Sequence, residues 1–125
     1  MRRALMLATV LGMFTYAGAA DVLDPVKLDP KHYKVELEND QVRVLRIKYG
    51  PHEKSVMHDH PANLAVFLTD VDGRFTLHDG KTEDVPAKAG AVMWDAGGQH
   101  LPENIGDKPF ELIVIELKTK PAKSK

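Results

Sequence analysis

Short apolar runs, each cut off by turn residues, make up this chain, and no window of about 11 residues sustains a 3.6-residue apolar period. Such a chain has no long amphipathic helix to build a core from, so its buried surface must come from strands. Residues 33–37, 41–49, 55–60, 64–68, 74–77, 82–85, 91–94, 99–102 and 110–117 read as strands. Asn39-Asp40, Gly50-Pro51, Pro61 and the stretch 70–73 end or turn them. His78-Asp79-Gly80-Lys81 is a hairpin signal. Many short strands at regular spacing predict an all-β sandwich or closed barrel of the jelly-roll type. Residues 110–117 are among the longest and most apolar, and left unpaired they would invite aggregation, so they belong in the middle of a sheet.

The ends of the chain read differently. Arg2 and Arg3 precede an uncharged apolar run over 4–16, and Ala17-Gly18-Ala19-Ala20 supplies small residues before Asp21. That order is the signature of a cleaved secretory signal peptide over 1–20. The run is shorter than the roughly 20 residues of a membrane span, so no membrane association is expected after cleavage, and the mature chain is expected in a periplasm or outside the cell. Residues 21–33, with Pro25 and Pro30, read as an extended N-terminal arm, 34–118 as the barrel, and 119–125 as a basic tail in solvent.

Removing residues 1–20 removes two arginines and no acid, which leaves 15 basic residues against 18 acidic ones. That balance, with no basic stripe interleaved with aromatics, argues against nucleic acid as a partner. Cysteine is absent. An exported chain without it relies on its core for stability, and any metal chemistry must come from histidine and carboxylates. No serine elbow, phosphate loop or paired-carboxylate pattern stands out, and Glu111 and Glu116 have no spacing that argues for acid or base work.

The histidines carry the functional signal. His58 and His60 alternate on one strand, so both side chains take the same face, with Val56 sharing it and Asp59 opposed. Two imidazoles so placed can converge on one metal ion. His100 follows Gly97-Gly98-Gln99 and precedes Leu101-Pro102-Glu103-Asn104. His78 falls in the hairpin turn, His52 beside Gly50-Pro51 and His32 in the arm, where exposure or no role is expected; Asn104 reads as a loop residue that satisfies backbone groups.

From Gly50 to Asn104 the chain resembles the two motifs of the cupin superfamily. The first is matched by Gly50, His58-Asp59-His60, the apolar run at 64–68 and Gly73; the second by Gly90, residues 91–94, Gly97, His100 and Asn104. Residues 104–111 look like those of small exported bacterial cupins described as BauB-like. The resemblance implies a double-stranded β-helix, or jelly-roll cupin barrel, and a metal held by His58, His60 and His100. It also implies pairing of barrels through their sheets, so a homodimer is compatible with it. The chain departs from the family where Asp95 replaces a motif proline and where Leu64, Ala65 or Val66 stands for the motif glutamate.

Three neutral imidazoles suit Zn, Cu, Fe or Ni, and Mn is the remaining candidate among divalent ions. They bring no ligand charge, so a 2+ centre would stay free to attract an anionic small molecule. The pocket is expected to be apolar and lined by Val56, Val66, Leu68 and Trp94. Metal binding is expected to weaken as pH falls through about 6. Two readings of function stay open: a metalloenzyme on a small organic acid or similar metabolite, of dioxygenase-like or lyase/isomerase-like chemistry, and a non-enzymatic module that binds or senses a small ligand or metal through a degenerate site. A fold shared by many functions does not choose between them.

Overall fold

The computed structural model describes residues 23–118. The expected signal peptide and the tail at 119–125 lie outside the described residues. Among those described, one short helix, α1 (Pro25–Leu28), precedes nine strands: β1 (Tyr33–Glu38), β2 (Val42–Tyr49), β3 (His58–His60), β4 (Asn63–Phe67), β5 (Val71–Leu77), β6 (Thr82–Ala87), β7 (Val92–Asp95), β8 (Gly98–Asn104) and β9 (Phe110–Leu117). No helix among them is long and apolar enough to cross a membrane.

The strands form two antiparallel sheets, one in the order β1-β2-β9-β4-β7 and the other β3-β8-β5-β6. This is the jelly-roll barrel expected from the strand pattern. β9 lies at the centre of the five-stranded sheet, paired with β2 from Val42↔Leu117 to Tyr49↔Phe110 and with β4 from Asn63↔Glu116 to Phe67↔Leu112. The β5–β6 hairpin closes over His78–Lys81, where Gly80 takes φ +85°. The core is Tyr33, Leu45, Ile47, Tyr49, Phe67, Val71, Phe110 and Val114.

Part of the arm is helical rather than extended. Asp24 caps α1 by accepting the Val26 N–H at 2.9 Å, and Pro25 takes the first helical position with its φ already set. Pro25 is buried, and Asp59 N–H donates to the Leu23 carbonyl at 2.9 Å. Asp29 continues the attachment, accepting from Ser55 Oγ at 2.6 Å and from His32 Nδ1 at 2.7 Å. The His32 ring stacks on Tyr49, centroids 4.2 Å apart, so it is a buried packing residue. The arm therefore docks against the end of the barrel that carries β3.

Candidate metal centre

His58 and His60 alternate on β3 with both rings inside the barrel, His58 fully buried and His60 nearly so. β3 pairs with β8 in the register His58↔His100, which sets His100 directly opposite. The Nε2 atoms of His58 and His60 lie 3.1 Å apart, and those of His58 and His100 3.2 Å apart. The rings stand nearly perpendicular, at 84°, 88° and 76°. Among the described residues these three form the cluster able to hold a metal ion. The sequence-predicted ligand set is thus brought together in space.

Hydrogen bonds on the far side of two rings fix which nitrogen carries the lone pair. His58 Nδ1 lies 2.8 Å from the Val56 carbonyl, which can only accept, so the proton is on Nδ1 and the lone pair on Nε2. His60 Nδ1 donates to Glu116 Oε2 at 2.9 Å, with the same result. Glu116 Oε1 in turn accepts from Arg43 Nε at 2.6 Å, and the same guanidinium bonds Asp24 with its other two nitrogens at 2.8 and 3.1 Å. A carboxylate behind a ligating imidazole orients the ring and raises its basicity. Burial works against charge on Glu116, yet the bonds from His60 and Arg43 hold its carboxyl below the ordinary range. His100 has Phe75 against its ring, centroids 4.3 Å apart.

This arrangement fits a cation. Two neutral imidazoles present lone pairs to each other at 3.1 Å, a contact that is repulsive unless something positive lies between them. Protons are a poor substitute, because burial, then the charge of His60, pushes His58 down to about 4. Burial, then the charges of His60 and His58, pushes His100 down to about 2. Metal–nitrogen bonds of about 2.0–2.1 Å would separate neighbouring ligands by about 3.0 Å at right angles and about 3.4 Å at a tetrahedral angle. The observed 3.1 and 3.2 Å fall between the two.

The residues bordering the centre differ from those expected. A cavity of about 90 Å³ fills the barrel beside His60 and His100, with Asn63, Ala65, Phe67, Phe75, Met93, Phe110, Leu112 and Val114 in its wall. Val56, Val66, Leu68 and Trp94 do not line it. Val56, Leu68 and Trp94 are exposed, and Val66 is half-buried. On β4 the cause is parity: Asn63, Ala65 and Phe67 turn inward, so Leu64, Val66 and Leu68 take the other face. On β7 Met93 borders the cavity while itself exposed, and Trp94 does not reach it. Val56 precedes the start of β3, and only its carbonyl serves the centre. Trp94 borders an outer groove beside His100, Phe75 and Gly98.

Glu116 is the residue that sequence reasoning missed. Its signal is a carboxylate on the inward parity of the most apolar strand, in line with Phe110, Leu112 and Val114. Asn104 holds the loop behind the site: its Nδ2 donates to the carbonyls of Gly50 at 3.0 Å and Lys108 at 2.7 Å, and its Oδ1 accepts from Gly106 N at 3.0 Å. His52 and His78 are exposed and take no part.

Solved structures agree on the fold. A cupin domain from Bordetella pertussis Tohama I superposes with a TM-score of 0.65 at 21% identity, over 70% of this chain and 92% of that one. A conserved protein with a double-stranded β-helix domain from Klebsiella pneumoniae gives 0.54 at 21% identity, over 70% and 84%. A cupin superfamily protein from Desulfitobacterium hafniense gives 0.53 at 12% identity, over 70% and 76%. No family model matches the chain, and no curated protein matches it. The chain has the double-stranded β-helix fold of the cupins.

Proposed function

We propose that this protein holds one divalent metal ion through Nε2 of His58, His60 and His100, and that a small organic metabolite binds to it from the barrel cavity. The observation that carries the reading is the pair of lone pairs facing each other at 3.1 Å, each fixed by a hydrogen bond on the opposite ring nitrogen. When bound, the ion would supply Lewis acidity or redox chemistry at the cavity wall. Glu116 keeps the His60 ring aimed, and Phe75 and the apolar wall exclude water. Neutral ligands leave the charge of the ion unspent and directed at the metabolite.

The second reading, a binding module without turnover, has its own support. The carboxylates along the cavity are engaged elsewhere: Asp95 accepts from Gly97 N at 2.7 Å, and Glu103 faces Lys54 at 3.9 Å. The Tyr33 and Tyr49 hydroxyls bond each other at 2.7 Å, and burial holds both above their ordinary range. A proton carrier for catalysis would have to come from the metal's own water or from the metabolite. Oxygen uptake on adding small acids to the metal-loaded protein separates the two readings.

Export belongs to the same proposal. It is supported by the basic, apolar and small-residue order of residues 1–20 and agrees with the absence of cysteine; the likeness to BauB-like exported cupins rests on residues 104–111.

The deciding experiment is metal content by mass spectrometry on tag-free protein purified from its own compartment, beside His58→Ala and His100→Ala. Near-stoichiometric metal lost in both variants supports the centre. Equal, negligible metal in all three proteins ends the metal reading and leaves the barrel as a carrier of an organic ligand.

A further inference from the structure

The cavity specifies more than a generic metabolite. Among the described residues its wall contains no lysine and no arginine, and its two carboxylates, Asp95 and Glu103, are engaged with Gly97 N and Lys54. Arg43, close to the centre, has all three guanidinium nitrogens committed to Glu116 and Asp24. The hydroxyls within reach, on Tyr33 and Tyr49, share one hydrogen bond at 2.7 Å, and the Asn63 amide donates to the Pro61 carbonyl at 2.9 Å. A ligand in the cavity thus meets one unspent positive charge, the metal, and few free hydrogen-bond partners. A second charged group, or a row of hydroxyls, would be buried without compensation.

The boundary between the cavity and the outer groove carries the same preference. Phe75, Val85, Met93, Asp95 and His100 border both the inner cavity and the outer groove, so the two adjoin there. Apolar side chains dominate that boundary, and its one carboxylate, Asp95, repels a second anionic group.

Resting on the metal reading above, we infer that the ligand is a short-chain, singly charged aliphatic acid, with its carboxylate on the metal and its hydrocarbon body in the cavity. Dicarboxylates and polyhydroxylated acids are selected against.

The test loads the full-length mature protein with Co(II), confirms one ion per chain, and follows both the visible spectrum and the heat of binding. Titrants are 2-methylpropanoate, butanedioate and glycerate. The expected result is a spectral change with 2-methylpropanoate at an affinity at least about tenfold above the other two, or about 1.4 kcal/mol. Co(II) bound with no response to 2-methylpropanoate, or with butanedioate or glycerate binding as well, overturns this inference and leaves the metal reading standing. Failure to bind Co(II) at all removes both.

Two variants sharpen the result. Ala65→Leu should keep the Co(II) stoichiometry and lose 2-methylpropanoate about tenfold while acetate binds as before. Met93→Arg adds a cation at a position that is already 40% exposed, and should raise butanedioate affinity relative to 2-methylpropanoate. An unchanged ratio in Met93→Arg overturns the inference even if Ala65→Leu fails to fold.

Discussion

Glu116 accepts a hydrogen bond from Nδ1 of His60 at 2.9 Å, and the two residues stand on opposite sheets. The contact reaches across the barrel interior and fixes both the tautomer and the aim of a ligating ring. Glu116→Gln keeps the shape and removes the charge. Metal affinity should fall about 10- to 100-fold, as measured by competition with a chromophoric chelator. Unchanged affinity would mean that the carboxylate serves packing alone.

Arg43 is the counter-ion that makes Glu116 tolerable inside. Burial lowers the guanidinium's own tendency to hold its charge, but the bonds to Asp24 and Glu116 more than restore it. Arg43→Leu leaves a buried carboxylate without its partner, so the fold should lose about 3 kcal/mol, read by urea denaturation of the metal-free protein. Arg43→Leu combined with Glu116→Leu should recover much of that loss, because two facing apolar groups replace the pair.

Acid should destabilise the metal-free protein. His58 is held at about 4 and His100 at about 2, both below the ordinary 6.5. The unfolded chain therefore takes up protons that the folded chain refuses. This contribution to stability is fully present above about pH 6.5 and is lost as pH falls, toward 4 for His58 and toward 2 for His100, at up to about 1.4 kcal/mol per pH unit for each ring. Melting temperature measured from pH 7.5 to 4.5 in the presence of chelator checks the slope.

The same shifts move the expected pH of metal loss. Exposed imidazoles would surrender metal near pH 6, as the sequence alone suggests. Two of the three rings here stay unprotonated to lower pH, so the midpoint of metal release should lie below 6. Dialysis at stepped pH followed by metal analysis measures it directly.

Gly97, in the turn that leads into β8, packs against the backbone at the end of β3. Its φ is +96°, and an added Cβ would lie 2.7 Å from the His60 carbonyl oxygen and 2.9 Å from the Pro61 carbonyl carbon. Gly98 has φ +128° with open space around the same position. Gly98→Ala should cost only conformational strain, about 1–2 kcal/mol. Gly97→Ala should cost more and also weaken metal binding, since the displaced segment carries His60. Thermal melts and chelator competition on the pair give the ordering.

Much of this was legible in the sequence, for reasons that particular residues make plain. The alternation of His58 and His60 and the spacing of Gly97, His100 and Asn104 are local patterns, and local patterns survive without knowledge of strand pairing. The central place of β9 followed from its apolar run. The pocket wall was not legible, because it depends on which parity of β4 turns inward. There the inward set, Asn63, Ala65 and Phe67, looks no more apolar than the outward Leu64 and Val66. A slip of one residue reverses every side chain. Glu116 was hidden for a related reason: its meaning comes from a partner 56 positions away on the other sheet. The docking of Asp24 onto Arg43 likewise needed the three-dimensional path of the arm.

β3 has three residues, carries two of the three histidines, and forms the edge of its sheet with β8 as its sole strand partner among the described residues. Edges of this kind fray ahead of the rest of a fold. Exchange of the ion would then be timed by how often that edge lifts from β8 and from Leu23, not by how tightly the ion is held. Stripping by excess chelator should reach a ceiling rate independent of chelator concentration. That ceiling should match the amide-exchange rate of His58–His60 and rise when the arm ahead of Asp24 is trimmed.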